Sequence, residues 1–130
     1  MSEEKSKRAI HIIINPKSGS GLKHSALVEF CTLLKGYGKE IIEYRTKAPE
    51  DATRYAKSIR NVAQSVVVWG GDGTVREVAS ALVGSDVPML ACPVGTENLL
   101  AKELSIPSHP RRLVETLLNG RIVQCDLGIV

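Results

Sequence analysis

The sequence predicts an α/β layered domain with a mainly parallel sheet, and three observations carry that prediction. Strand-type and helix-type segments alternate along the chain. The first strand is a nearly continuous apolar run, the mark of a strand covered on both faces. Loops rich in Gly, Ser, Thr and Asn follow the strands. The chain has 130 residues, the size of one domain, with no internal repeat or low-complexity linker.

Residues 9–14 form the first strand, apolar except for His11, and residues 15–21 break it as a loop. Residues 22–35 read as a helix with Leu27, Phe30 and Leu34 on one face, stopped by Gly36 and Gly38. Residues 41–46 are a second strand. Pro49 then opens a second helix at its first position, with Glu50 and Asp51 in the first turn. The inner face of that helix is Ala52, Tyr55, Ala56, Ile59 and Ala63. Residues 65–69 are a third strand, 70–73 a tight turn and 74–83 a third helix. Thr74 and Glu77 have the spacing of a capping box at its start. Residues 88–91 give a fourth strand, 92–97 a loop, 98–104 a short helix, 110–118 a fifth helix and 121–126 a fifth strand. The apolar end at 126–130 reads as the entry to a further strand, so the sequence is expected to be a piece of a longer protein.

Composition removes several function classes. A net charge of +3 suits an anionic ligand but is too weak and too dispersed for nucleic acid. With 1 Trp, 3 Tyr and 1 Phe, base-stacking platforms are not expected. Cys31, Cys92 and Cys125 share no metal-ligand spacing and read as small buried apolar residues of a reducing compartment. Residues 1–8 are polar, read as a flexible segment, and no secretory h-region follows. No apolar run reaches membrane-span length. The expectation is a soluble, cytoplasmic protein.

Ligands of parallel α/β sheets sit at the carboxyl ends of the strands. The loops there contain residues 15–21, Thr46, residues 70–74 and residues 93–98, and all should open on one edge. Gly70, Gly71 and Gly73 would permit positive φ angles and close approach of a ligand, and the loop feeds a helix N-terminus suited to phosphate. Asp72 opposes phosphate unless a cation or a sugar hydroxyl intervenes. The same turn also reads as a strained strand-to-helix connection with an Asp of good turn propensity, and both readings stand at this point. Neither a Walker A sequence nor G-x-G-x-x-G occurs. Lys17 can reach a phosphate or stand solvated. Glu77 reads as the capping partner of Thr74, and His11 as a core histidine. His24 and His109 read as surface or capping residues, and Arg111-Arg112 as a solvated helix face. Leu99-Leu100 and the Val75, Val78, Leu82 stripe read as core.

Three segments together resemble the diacylglycerol kinase catalytic family, which includes sphingosine kinases and bacterial lipid kinases and is distantly related to NAD kinases. They are Asn15-Pro16-Lys17-Ser18-Gly19; Gly70-Gly71-Asp72-Gly73-Thr74 with Glu77; and Pro93-Val94-Gly95-Thr96-Glu97-Asn98 with Ala101. The resemblance implies that residues 9–130 are the N-terminal nucleotide-binding domain of a two-domain lipid kinase fold, completed by a β-rich domain that is absent here. It implies ATP contacts from Asn15, Pro16, Lys17, Ser18 and Gly19, and from Thr46. It adds Gly70, Gly71, Asp72, Gly73, Thr74, Val75 and Arg76, and then Thr96. Asn98 would shape the cleft. Asp72 would sit beside the triphosphate as the catalytic site's functional acidic residue and, through Mg²⁺ bound to ATP, as the metal-side residue. The family's general base lies in the second domain. The implied reaction is ATP-dependent phosphorylation of a lipid hydroxyl such as that of diacylglycerol. A sphingoid base or NAD as acceptor, and a nucleotide-binding module without catalysis, are the rivals. A peripheral membrane contact and a homodimer stay open, and no nucleic-acid partner is expected. Glu97, Arg76 and Trp69 depart from the family pattern, and the fine shape of the pocket depends on them.

Overall fold

The computed structural model describes residues 9–17, 23–95 and 97–124. Its strands are β1 (Ile10–Ile14), β2 (Ile41–Arg45), β3 (Ser65–Gly70) and β4 (Met89–Pro93). Its helices are α1 (His24–Gly36), α2 (Asp51–Ile59), α3 (Asp72–Ala81), α4 (Leu99–Glu103) and α5 (Pro110–Asn119). The strands form one sheet in the order β2-β1-β3-β4, and every pair is parallel.

Alternation along each strand divides the core into two layers. Ile10, Ile12, Ile14, Val67, Trp69, Leu90 and Cys92 face α1 and α5, meeting Leu27, Phe30, Leu34 and Leu113. Ile13, Val66, Val68 and Ala91 face α2 and α3, meeting Ala52, Ala56, Ile59, Val75, Val78 and Ala81. Each large aliphatic side chain buried in this way contributes about 1.5–3 kcal/mol of transfer free energy. The central strands β1 and β3 are buried along their whole length, which explains why they read as continuous apolar runs. β2 is an edge strand and keeps Glu43 and Arg45 exposed.

The chain moves from β1 outward to β2, then crosses back to β3 and on to β4. Right-handed crossovers demand that α1 lie on one face and α2 and α3 on the other, as found. The reversal falls between β1 and β3, and their carboxyl ends therefore flank the crevice in which open α/β sheets bind ligands.

Several local expectations need correction. Residues 121–124 form no strand and are exposed, while Cys125 and the rest of the expected fifth strand lie outside the described residues. α3 begins at Asp72, with Gly71 as N-cap and its carbonyl accepting the Val75 N–H at 3.0 Å. The Thr74–Glu77 capping box therefore does not exist. Thr74 is buried and bonds to Asn15, and Glu77 bonds to Thr53. Pro49 is not the first helical residue, because Glu50 caps α2 at φ 67 and the helix starts at Asp51. Leu99 is not core: it is 58% exposed at the start of a five-residue helix. Other readings hold. His11 is buried, His109 caps α5 by accepting the Arg111 N–H at 3.3 Å, and Cys31 and Cys92 are buried free thiols. Burial, with Glu43 nearby, raises the Cys31 thiol to about 11, and burial raises Cys92 as well, so both stay protonated.

Candidate functional site

Parallel pairing brings the four strand-end loops to one edge, and side chains brace them there. Asn15 leaves β1 with its N–H on the Trp69 carbonyl at 3.0 Å. Its Nδ2 donates to Thr74 Oγ1 at 3.0 Å, across the switch point to α3. Its Oδ1 accepts the Lys17 N–H at 3.0 Å, which turns the loop. Gly70 sits between these partners. A Cβ there would meet Thr74 Cβ and Oγ1 at 3.1 Å and Asn15 Cβ at 3.2 Å, so a side chain would wedge the two loops apart.

The glycines serve close approach and not backbone strain. The positive-φ glycines of the described chain are Gly38 and Gly84, so Gly70, Gly71 and Gly73 do not need the left-handed region. Gly71 is extended, at φ −82 and ψ −175. A Cβ on Gly95 would lie 2.8 Å from the Gly71 Cα, so the loops after β3 and β4 touch glycine to glycine. Nothing stands within 4 Å of where a Gly73 Cβ would be. The expectation that this turn stores positive φ angles is thus wrong: Gly70 is bare so that the loops can pack, and Gly73 leaves its backbone open.

Asp72 and Asn98 tie the third and fourth loops together. Asp72 Oδ1 accepts the Leu99 N–H at 2.8 Å, which satisfies the first turn of α4. Asn98 stands at φ 56, and its amide grips Gly95 twice: Oδ1 accepts the Gly95 N–H at 2.7 Å, and Nδ2 donates to the Gly95 carbonyl at 2.9 Å. The N-cap of α3 is Gly71, which has no side chain to cap the helix. The N–H groups of Asp72, Gly73 and Thr74 precede its first intrahelical donor, Val75, and point toward this edge with the positive end of the helix dipole.

A cleft of about 310 Å³ lies on this edge, on the α2 and α3 side of the sheet. Asn15, Lys17, Thr46 and Thr74 line it, and all four are sequence-derived candidates. A larger hollow of about 440 Å³, lined by residues of the Pro49–Lys57 surface of α2, is more open and lies away from the β1 and β3 ends. The smaller cleft is the better site, because the loops after β1 and β2 and the first turn of α3 line it together, while Asp72 and the loop after β4 lie outside its lining. Val75 is buried in the core and Arg76 is exposed, so neither side chain lines the cleft. Pro16 and Gly73 are exposed beside it. Ser18, Gly19 and Thr96 lie outside the described residues. Trp69 is fully buried with its ring centroid 5.7 Å from that of Phe30, on the opposite face, so its bulk does not narrow the cleft.

The sequence reading missed Lys47, Ala48, Pro49, Ala52 and Glu77, which complete the lining. The rule that found Thr46 could have found the next three residues, since they share its loop. Glu77 follows Thr74 by one helical turn on the same face; its Oε1 accepts from Thr53 Oγ1 at 3.1 Å. Lys17 and Lys47 give two of the walls positive charge. Among the described residues no group of three or more His, Cys, Asp or Glu could hold a metal ion. Mg²⁺ needs no such cage when substrate phosphates supply most of its oxygens, and one carboxylate such as Asp72 fits that mode. Among the described residues no helix is long and apolar enough to cross a membrane.

Comparison with known proteins agrees with this architecture. Residues 9–130 match the diacylglycerol kinase catalytic domain. A diacylglycerol kinase of Mycobacterium tuberculosis is 30% identical over 118 residues, which is 89% of this chain and 38% of that protein. The Escherichia coli protein named "Probable lipid kinase YegS" is 33% identical over 124 residues, 92% of this chain and 40% of its own length. The crystal structure of a diacylglycerol kinase from Bacillus anthracis superposes with a TM-score of 0.74 at 26% identity, covering 85% of this chain and 42% of that one. The chain thus spans about two-fifths of the length of these relatives, and it belongs to the diacylglycerol kinase catalytic domain family.

Proposed function

We propose that this chain is the nucleotide-binding part of an ATP-dependent phosphotransferase acting on the hydroxyl of a lipid such as diacylglycerol. The observation that carries the reading is the convergence of four strand-end loops around the N-terminus of α3, beside a lysine-flanked cleft. The phosphates would lie against the Asp72, Gly73 and Thr74 amides, where the absence of a Cβ at Gly73 leaves the backbone open. Lys17 and Lys47 would balance their charge, and Thr46 and Asn15 would hold the cleft walls. Mg²⁺, bound with ATP, would neutralise charge that develops on the transferred phosphoryl group. Asp72 would stand on the metal side while its Oδ1 keeps α4 docked.

Alone, this stretch would bind nucleotide without transferring phosphoryl. The chain covers 38–42% of its relatives, so the acceptor site and the general base would come from a second, β-rich domain. The lipid acceptor is favoured over a sphingoid base or NAD because the named relatives are diacylglycerol and lipid kinases. The test has two arms. Calorimetric titration of this chain with ATP or ADP should show weak, Mg²⁺-dependent binding. A longer form carrying the second domain should transfer the γ-phosphoryl of ATP to diacylglycerol. No heat and no thermal shift at millimolar nucleotide would sink the nucleotide reading. Binding without transfer by the longer form would leave a nucleotide-binding module.

A further inference from the structure

The loop after β2 supplies Thr46, Lys47, Ala48 and Pro49 to the cleft wall, yet what fixes its shape lies outside the cleft. Asp51, 7% exposed, accepts the Tyr44 hydroxyl at 2.7 Å and the Lys47 N–H at 2.8 Å. The Arg54 guanidinium stands 4.0 Å from the same carboxylate. The loop is closed by two further bonds, Asp51 N–H to the Ala48 carbonyl at 3.2 Å and Thr46 N–H to the Ile14 carbonyl at 2.8 Å. Tyr44 cannot swing away, because its ring stacks on Tyr55 at 4.0 Å and 5°. Tyr55 in turn bonds through its hydroxyl to His11 Nδ1 at 2.7 Å. The stacked Tyr55 ring thus backs the clamp, while its hydroxyl bond runs to β1 and not to the loop.

We propose that Asp51 and Tyr44 are positioning residues for the nucleotide: they hold the Thr46–Lys47 wall at its distance from the α3 N-terminus without touching the ligand. The inference rests on the nucleotide reading of the cleft. A clamp that serves stability alone would lower the urea midpoint when lost but leave the ADP affinity of folded protein unchanged, and the measurements below separate the two. Pre-setting that wall lowers the ordering cost of binding, because the loop is already in its bound shape.

Tyr44→Phe removes the hydroxyl but keeps the stack, and Asp51→Asn keeps the shape while losing charge and one acceptor. Tyr55→Phe is the control, since it also deletes one tyrosine hydroxyl bond of the same stack but leaves the loop clamp in place. ADP affinity with Mg²⁺ is measured on folded protein, together with amide hydrogen exchange at Lys47. The expected result is binding weakened roughly five- to tenfold in Tyr44→Phe and Asp51→Asn, with faster exchange at Lys47, and binding within about twofold of the parent in Tyr55→Phe. If the parent binds ADP and Tyr44→Phe binds equally well, or if all three variants weaken binding alike, the positioning role is overturned while the nucleotide reading stands. If the parent does not bind ADP, the nucleotide reading falls and takes this inference with it.

Discussion

Gly73→Ala separates the two meanings that a glycine turn can have, because its effects on stability and on binding should run in opposite directions. Gly73 is the second residue of α3, outside the left-handed region, and nothing stands within 4 Å of an added Cβ. An alanine fits the folded chain and restricts the unfolded one. In a helix the exchange stabilises by about 0.5–1 kcal/mol, and a first-turn position belongs at the low end of that range. For a chain of this length that is a rise in Tm of roughly 2–5 °C. The same methyl would stand over the amides that are proposed to face phosphate. A tenfold loss of nucleotide affinity, about 1.4 kcal/mol, is the minimum expected from blocking that approach. Urea midpoints and calorimetric titration on the same preparations give both numbers. A destabilised protein would refute the claim that the turn is unstrained. A stabilised protein with unchanged affinity would remove the α3 terminus from the phosphate site.

Three further outcomes follow from contacts already described. Gly95→Ala should destabilise by about 1–3 kcal/mol, since its Cβ would be driven to 2.8 Å from the Gly71 backbone, and denaturant titration checks this. Asp72→Asn keeps an oxygen for the Leu99 amide, so its stability should change by less than about 0.5 kcal/mol while kinase activity of a longer form falls at least about hundredfold; an active Asn variant would reduce Asp72 to a brace. The Asp51 carboxyl is held below its ordinary range, first by the Tyr44 hydroxyl and then by the Lys47 amide. Its contribution is therefore complete above the ordinary aspartate value of about 3.9 and is lost as pH falls below it. The stability gap between the parent and Tyr44→Phe should be flat from about pH 5 to 8 and shrink toward pH 3; a gap that widens in acid would contradict the sign.

The parallel sheet was legible because its information is local. Runs such as Ile12-Ile13-Ile14 and Val66-Val67-Val68 announce strands covered on both faces, and Leu27, Phe30 and Leu34 mark a helix face. The shared edge of the loops followed from the sheet being parallel, and it placed Asn15, Lys17, Thr46 and Thr74 in one cleft. What stayed hidden depends on partners far along the chain. Thr74 and Glu77 have the spacing of a local cap, but Asn15, 59 residues away, and Thr53, 24 away, take their side chains. Asp51 looks like an acid placed for the helix dipole, and only the fold shows that it turns back onto Tyr44 and Lys47. Residues 121–124 carry a strand-like pattern but meet no neighbouring strand, and pattern alone cannot supply one.

The braces of this edge also explain why the signature residues occur as blocks. Asn15 is bonded to Thr74, and Gly70 must be bare for them to meet. Asp72 is bonded to Leu99, Asn98 grips Gly95, and Gly95 must be bare to meet Gly71. Each segment therefore completes another: the first holds the third loop at the switch point, and the third holds the fourth. A substitution that breaks one of these bonds or fills one of these glycine contacts should be felt in the partner segment. Asn15→Ala tests this on the isolated chain. It leaves Thr74 Oγ1 without its donor in a buried site, which costs about 1–2 kcal/mol. A double variant with Thr74→Val, which removes the stranded hydroxyl, should recover part of that loss, giving a coupling energy of at least about 0.5 kcal/mol. Strict additivity of the two substitutions in urea titrations would show that the loops are neighbours and not a braced unit.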